Sequence, residues 1–165
     1  MNAHNFSFTG MDGNPLPLAR FVGQPVLIVN TASACGLTPQ YAGLEKLHEM
    51  YGPRGLILIG VPCNDFGAQE PGTEAEIKSF CETQFGVTFT LTRKEKVLGE
   101  TAHPFYRWTR ETLGADAAPK WNFHKYLIDG AGRVIFFSAR TEPLAHELTS
   151  AIEERLPKTT AKASK

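Results

Sequence analysis

Pro25-Val26-Leu27-Ile28-Val29-Asn30 and Leu56-Ile57-Leu58-Ile59-Gly60-Val61 are strand-sized apolar runs, and the segment between them decides the fold. Each run is continuous rather than alternating, the pattern of a strand covered on both faces. From Pro39, apolar residues Tyr41, Leu44, Leu47 and Met50 or Tyr51 recur at three- and four-residue steps. This spacing predicts an amphipathic helix with Pro39 in its first turn and Thr38 as its N-cap. A strand, a helix and a second strand in this order imply parallel pairing through a crossover.

Working outward, Phe6 to Gly10 and Leu16-Pro17-Leu18 flank the turn-rich Met11-Asp12-Gly13-Asn14-Pro15, which reads as a hairpin covering one end. A Gly- and Pro-bearing loop, Pro62 to Gly72, hangs from the second strand. Thr73 and Glu76 form a capping-box signature, and Ile77, Phe80, Cys81 and Phe85 mark the buried face of the helix that follows. Val87 to Leu91 predicts a short strand and His103 to Leu113 a helix. Phe123 to Ile128 and Arg133 to Phe137 flank Asp129-Gly130-Ala131-Gly132 as a β-hairpin, and a last helix runs from Pro143 to about Leu156. The expected architecture is α/β: a thioredoxin-like fold with a central mixed β-sheet flanked by helices. It forms one domain over 1–157, with a flexible tail at 158–165.

Composition excludes several function classes. Lys plus Arg and Asp plus Glu each number 17, so no net charge draws the chain to nucleic acid or an anionic membrane. No apolar run reaches the length of a membrane span, and Met1-Asn2-Ala3-His4-Asn5-Phe6 lacks the features of a secretory signal, so the expected location is cytoplasmic. Three widely spaced cysteines do not form a disulfide framework, and Cys35, Cys63 and Cys81 lack the paired spacing of a zinc site. Neither metal nor cofactor is expected.

In open α/β sheets the active site forms beyond the carboxyl ends of the parallel strands. Cys35 and the Pro62 to Gly72 loop both fall there. Cys35 also stands just ahead of a helix whose first amides favour a nearby anion, which makes it the candidate reactive thiol. Cys35-Gly36-Leu37-Thr38 carries Thr where a dithiol motif would need its second sulfur, so a disulfide reductase is disfavoured.

Three blocks, Asn30 to Tyr41, Pro62-Cys63-Asn64-Asp65-Phe66-Gly67-Ala68-Gln69-Glu70-Pro71-Gly72 and Trp121-Asn122-Phe123, resemble the signature blocks of the glutathione peroxidase family, in order and at similar separations. The resemblance runs from about Phe6 to the last helix. It implies a thiol peroxidase in which Cys35 is the peroxidatic residue and Gln69, Trp121 and Asn122 complete the catalytic group. Chemistry agrees with that assignment. A departing peroxide oxygen gathers negative charge, and an indole N–H and two carboxamides supply donors that do not titrate.

The resemblance further implies a division of labour among the other thiols. Cys81 resembles the resolving cysteine of thioredoxin-using members, whereas Cys63 falls at a position not needed for turnover and reads as structural. The substrate would be hydrogen peroxide or an organic hydroperoxide and the reductant thioredoxin, with glutathione possible. Asp65, Ala34 and Thr90-Leu91 depart from the family pattern at what reads as the peroxide entrance. The short connection between Pro104 and Lys120 lacks the insertion that family tetramers use, so a monomer is expected. The competing reading is a peroxide-sensing switch that signals through Cys35 oxidation.

Overall fold

The structure, a computed structural model, describes residues 1–158. All but the first residue of the tail expected at 158–165 lies outside the described residues.

Two short strands, β1 (Ser7–Thr9) and β2 (Pro15–Pro17), pair antiparallel with Phe8 opposite Leu16. They are followed by β3 (Val26–Thr31), α1 (Gln40–Tyr51), β4 (Ile57–Pro62), α2 (Glu74–Phe85) and β5 (Thr90–Leu91). The chain continues through α3 (Pro104–Leu113), β6 (Lys125–Ile128), β7 (Val134–Phe137) and α4 (His146–Arg155). The second sheet runs β5-β4-β3-β6-β7. Its β3, β4 and β5 pair in parallel, and β6 and β7 add antiparallel. This mixed sheet flanked by helices is the thioredoxin-like arrangement.

Alternate residues of the strands feed two separate cores, because successive side chains point to opposite faces. Leu27, Val29, Leu58 and Leu127 pack with Tyr41 and Leu44 of α1, Ile77 and Cys81 of α2, and Leu148 and Ile152 of α4. Val26, Ile28, Ile59, Val61 and Ile128 pack on the other face with Phe105 and Tyr106 of α3 and with Phe8 and Leu16 of the hairpin. All six residues of β3 are buried, which is why that run shows no alternation in sequence.

Several boundaries differ from the sequence expectation: β6 starts at Lys125 because Phe123 is left-handed, and three others have equally physical reasons. Helix α1 starts at Gln40, with Pro39 in the capping position and no side-chain cap. Thr38 does not cap it; the Thr38 hydroxyl accepts the Cys35 N–H at 2.9 Å and donates to the Ala32 carbonyl at 2.8 Å. The fifth strand is only two residues long because Val87 serves the end of α2, its N–H reaching the Cys81 carbonyl beside left-handed Gly86. Helix α4 starts at His146 rather than Pro143. Pro143 packs so closely on α1 that a Cβ at Gly43 would come within 3.0 Å of it. The Thr73–Glu76 capping box forms as the sequence predicts, with bonds of 3.2 and 2.8 Å.

Candidate active site

Cys35 sits in the loop that joins β3 to α1, 7% exposed. Successive turns occupy residues 35–39: the Thr38 N–H bonds the Cys35 carbonyl, and the Gln40 N–H bonds the Leu37 carbonyl. These turns separate Cys35 from the first turn of α1, so the amide that reaches its sulfur is not a helix amide. Instead the Leu37 N–H donates to Cys35 Sγ at 3.3 Å, and the Trp121 indole N–H donates to it at 3.2 Å. Two N–H donors on one sulfur stabilise negative charge there, with no general base needed in contact.

Trp121 belongs to the turn that enters β6, and β3 holds that turn in place. Asn30 Nδ2 donates to the Trp121 carbonyl at 3.1 Å, and the Phe123 N–H donates to the Asn30 carbonyl at 2.6 Å. Between these two links the chain reverses through Phe123 at φ 72°, a left-handed conformation that costs a non-glycine residue roughly 1–2 kcal/mol. Asn122 is fully buried and donates through Nδ2 to Gln69 Oε1 at 3.0 Å. Gln69 in turn follows Gly67 and Ala68, at φ 68° and 53°, and its carbonyl accepts the Ala34 N–H at 3.0 Å. Three loops therefore meet at Cys35, and strained backbone flanks the site on both sides.

Of the residues predicted from sequence, Trp121 touches the Cys35 sulfur, while Gln69 and Asn122 bond each other beside it. Neither carboxamide hydrogen-bonds Cys35. With Gln69 Oε1 occupied, its Nε2 group is the free donor end of the pair. Sequence reasoning missed Asn30, Thr38 and Lys125. Lys125 is fully buried, and its Nζ donates to Gln40 Oε1 at 2.7 Å, the Phe123 carbonyl at 2.6 Å and the Ala139 carbonyl at 3.4 Å. Burial pushes its ammonium down to about 7, opposed by the Glu142 carboxylate. A polar residue inside an apolar strand was the available signal for both Asn30 and Lys125.

The remaining thiols are fully buried and unpaired. Cys81 lies in the same core as Cys35, whereas Cys63 lies in the core across the sheet. Burial pushes the Cys63 thiol up to about 12 and the Cys81 thiol up to about 11; the Glu70 carboxylate adds to the Cys81 rise and the Tyr41 hydroxyl opposes it. Among the described residues there is no cluster of side chains that could hold a metal.

The glutathione peroxidase family model matches residues 3–110, which include Cys35 and Gln69. The chain belongs to the glutathione peroxidase family. It is 47% identical over 140 residues to a hydroperoxy fatty acid reductase of Synechocystis, covering 80% of this chain and 83% of that one. It is 44% identical over 149 residues to a glutathione peroxidase-like peroxiredoxin of Saccharomyces cerevisiae, covering 87% and 90%. The crystal structure of apo Trgpx superposes with a TM-score of 0.76 at 32% identity, covering 96% and 97%. The chemistry of this glutathione peroxidase-family chain is that of a thiol peroxidase.

A groove of about 400 Å³ is lined by Leu37, Trp121, Phe136, Lys120 and Arg140 among others, and it meets the Cys35 site through Leu37 and Trp121, the two residues that donate to the sulfur. A larger cleft of about 560 Å³ lies between the β1–β2 hairpin and α2; it contains no member of the Cys35 site, whereas the smaller groove includes Trp121. None of the three departures from the family pattern, Asp65, Ala34 and Thr90-Leu91, lines that smaller groove, contrary to the sequence expectation. Asp65 Oδ2 accepts the Val97 and Leu98 N–H groups at 2.7 and 3.1 Å, tying down a different loop. Thr90 and Leu91 pair with β4, and Leu91 faces the larger cleft.

Proposed function

We propose that Cys35 is the peroxidatic thiolate, that Gln69, Trp121 and Asn122 are its donor group, and that Cys81 is the resolving thiol. The carrying observation is the convergence of the Trp121 and Leu37 N–H groups on Cys35 Sγ. The thiolate attacks one peroxide oxygen, an S–O bond forms as the O–O bond breaks, and the departing oxide takes up the proton that the thiol gave to solvent. Cys35 is thereby oxidised by two electrons and the peroxide reduced by two. Cys81 then attacks the sulfenic sulfur, water leaves, and an S–S bond joins the two residues. A thioredoxin dithiol reopens it by exchange. The shared core of Cys35 and Cys81 supports this pairing over one with Cys63.

The Synechocystis relative is named for hydroperoxy fatty acids, and the groove suits such a substrate. Leu37, Trp121 and Phe136 offer apolar surface in the groove, and Leu37 and Trp121 also reach the sulfur. Lys120 pairs with Asp116 at 3.8 Å, while Arg140 makes no ion pair among the described residues and is available to a carboxylate. The chain is read as a cytoplasmic monomer with a single domain over 1–157. One sheet from Val26 to Phe137 supports the single domain, and among the described residues no helix is long and apolar enough to cross a membrane.

A steady-state assay tests the proposal, comparing thioredoxin with glutathione as reductant and a fatty acid hydroperoxide with hydrogen peroxide as substrate. Many peroxides consumed per chain, with thioredoxin preferred and a lower KM for the fatty acid hydroperoxide, is the expected result. About one equivalent consumed would instead mark a sensor. Full thioredoxin-driven cycling by Cys81→Ser would remove Cys81 from the pathway.

A further inference from the structure

We propose that Lys125 is a positioning residue for Cys35: its buried ammonium locks the Phe123 carbonyl to the start of α1, and so aims the Trp121 indole N–H at the sulfur. The inference rests on the reading of Cys35 as the reactive thiol and extends it to a residue that touches neither sulfur nor substrate.

The geometry begins at Phe123. A left-handed non-glycine residue persists only where its surroundings over-determine it. Here both peptide groups around Phe123 are held: the N–H by the Asn30 carbonyl at 2.6 Å, and the carbonyl by Lys125 Nζ at 2.6 Å. Lys125 carries the restraint further. Its second bond, at 2.7 Å, goes to Gln40 Oε1 in the first turn of α1, close in sequence to the turns that carry Cys35. Its third goes to the Ala139 carbonyl at 3.4 Å, which Gln40 Nε2 also reaches at 2.8 Å. One ammonium therefore joins the Trp121–Phe123 turn, the start of α1 and the segment after β7. The first two carry the donor and the acceptor of the Trp121 Nε1–Sγ bond toward each other.

An ammonium is a poor choice if packing alone were needed at this position. Burying a charge is costly, no carboxylate among the described residues hydrogen-bonds Nζ, and a methionine would fill similar volume without that cost. Three acceptors at one Nζ use all three of its protons. Such full coordination marks a fixed junction rather than a filled space.

The test compares Lys125→Met, Trp121→Phe and the double variant, each checked for fold by circular dichroism and thermal unfolding. The readouts are the rate of Cys35 sulfenate formation with hydrogen peroxide and the indole N–H resonance of Trp121, distinguished from that of Trp108 by its loss in Trp121→Phe. Lys125→Met is expected to slow sulfenate formation about tenfold or more and to shift the Trp121 resonance while leaving that of Trp108 in place. In the Trp121→Phe background the same substitution should change the rate less than about twofold, since residues acting through one contact are not additive. A folded Lys125→Met with an unmoved Trp121 resonance, or effects that simply multiply, would overturn the proposal. If Lys125→Met does not fold, Gln40→Met removes one of the three acceptors and carries the same two expectations and the same two contrary results. The resonance reads positioning without turnover, so an inactive parent chain would sink the peroxidase reading and leave this inference separately decided.

Discussion

His124, next to Lys125, shows at the scale of one residue what burial does here. It is almost wholly buried, stacks on Phe136 with ring centroids 5.8 Å apart, and has no hydrogen-bond partner at Nε2. Burial pushes its imidazolium down to about 4, helped by the charge of Lys125 and opposed by the Ala117 carbonyl. Between its ordinary value of 6.5 and about 4 the unfolded chain binds the extra proton. The stability tied to neutral His124 is thus present above 6.5 and lost as pH falls through the folded value, by up to about 3 kcal/mol. Urea unfolding of the parent at pH 6.5 and 4.5 should show this loss beyond that of His124→Phe, and equal losses would refute it. Residues of this kind were not legible in the sequence. Cys35, Trp121, Gln69 and Asn122 stood out through their motifs, but what Asn30, His124 and Lys125 bond to depends on strands brought together by the fold.

At the scale of elements, the sequence reading found the four α-helices of the described residues and the parallel pair but none of the short 3-10 turns, and the boundary errors fall where side chains were diverted to other tasks. Thr38 closes the cysteine loop instead of capping α1, Pro143 packs on Gly43, and Val87 ends α2. Helix α2 carries the other half of the proposed cycle. Cys81 is fully buried on it, so a disulfide with Cys35 requires the helix to loosen. Its seat is polar as well as apolar. The Tyr41 hydroxyl and the Glu70 carboxylate lie close enough to Cys81 to perturb its thiol. Thr73→Ala removes the capping box, worth about 1 kcal/mol, and should populate the opened helix about fivefold more. Disulfide formation after oxidation should then quicken about fivefold while sulfenate formation stays unchanged. An unchanged disulfide rate would take opening of α2 off the route.

At the scale of the whole molecule, the sheet divides the three thiols. Cys35 and Cys81 share the core under α1, α2 and α4, and Cys63 lies across the sheet in the core under α3 and the β1–β2 hairpin. That division was hidden in the sequence, where Cys63 is the nearer of the two to Cys35; alternation along β4 puts it on the far face. On the proposed assignment, a single sheet thereby separates the redox pair from a structural thiol. The most direct measurement is peptide mapping by mass spectrometry after one equivalent of hydroperoxide and alkylation of the remaining thiols. A Cys35–Cys81 disulfide with Cys63 alkylated is the predicted result. Loss of free Cys63 into a disulfide, or a Cys35 that stays reduced after the peroxide is consumed, would contradict it.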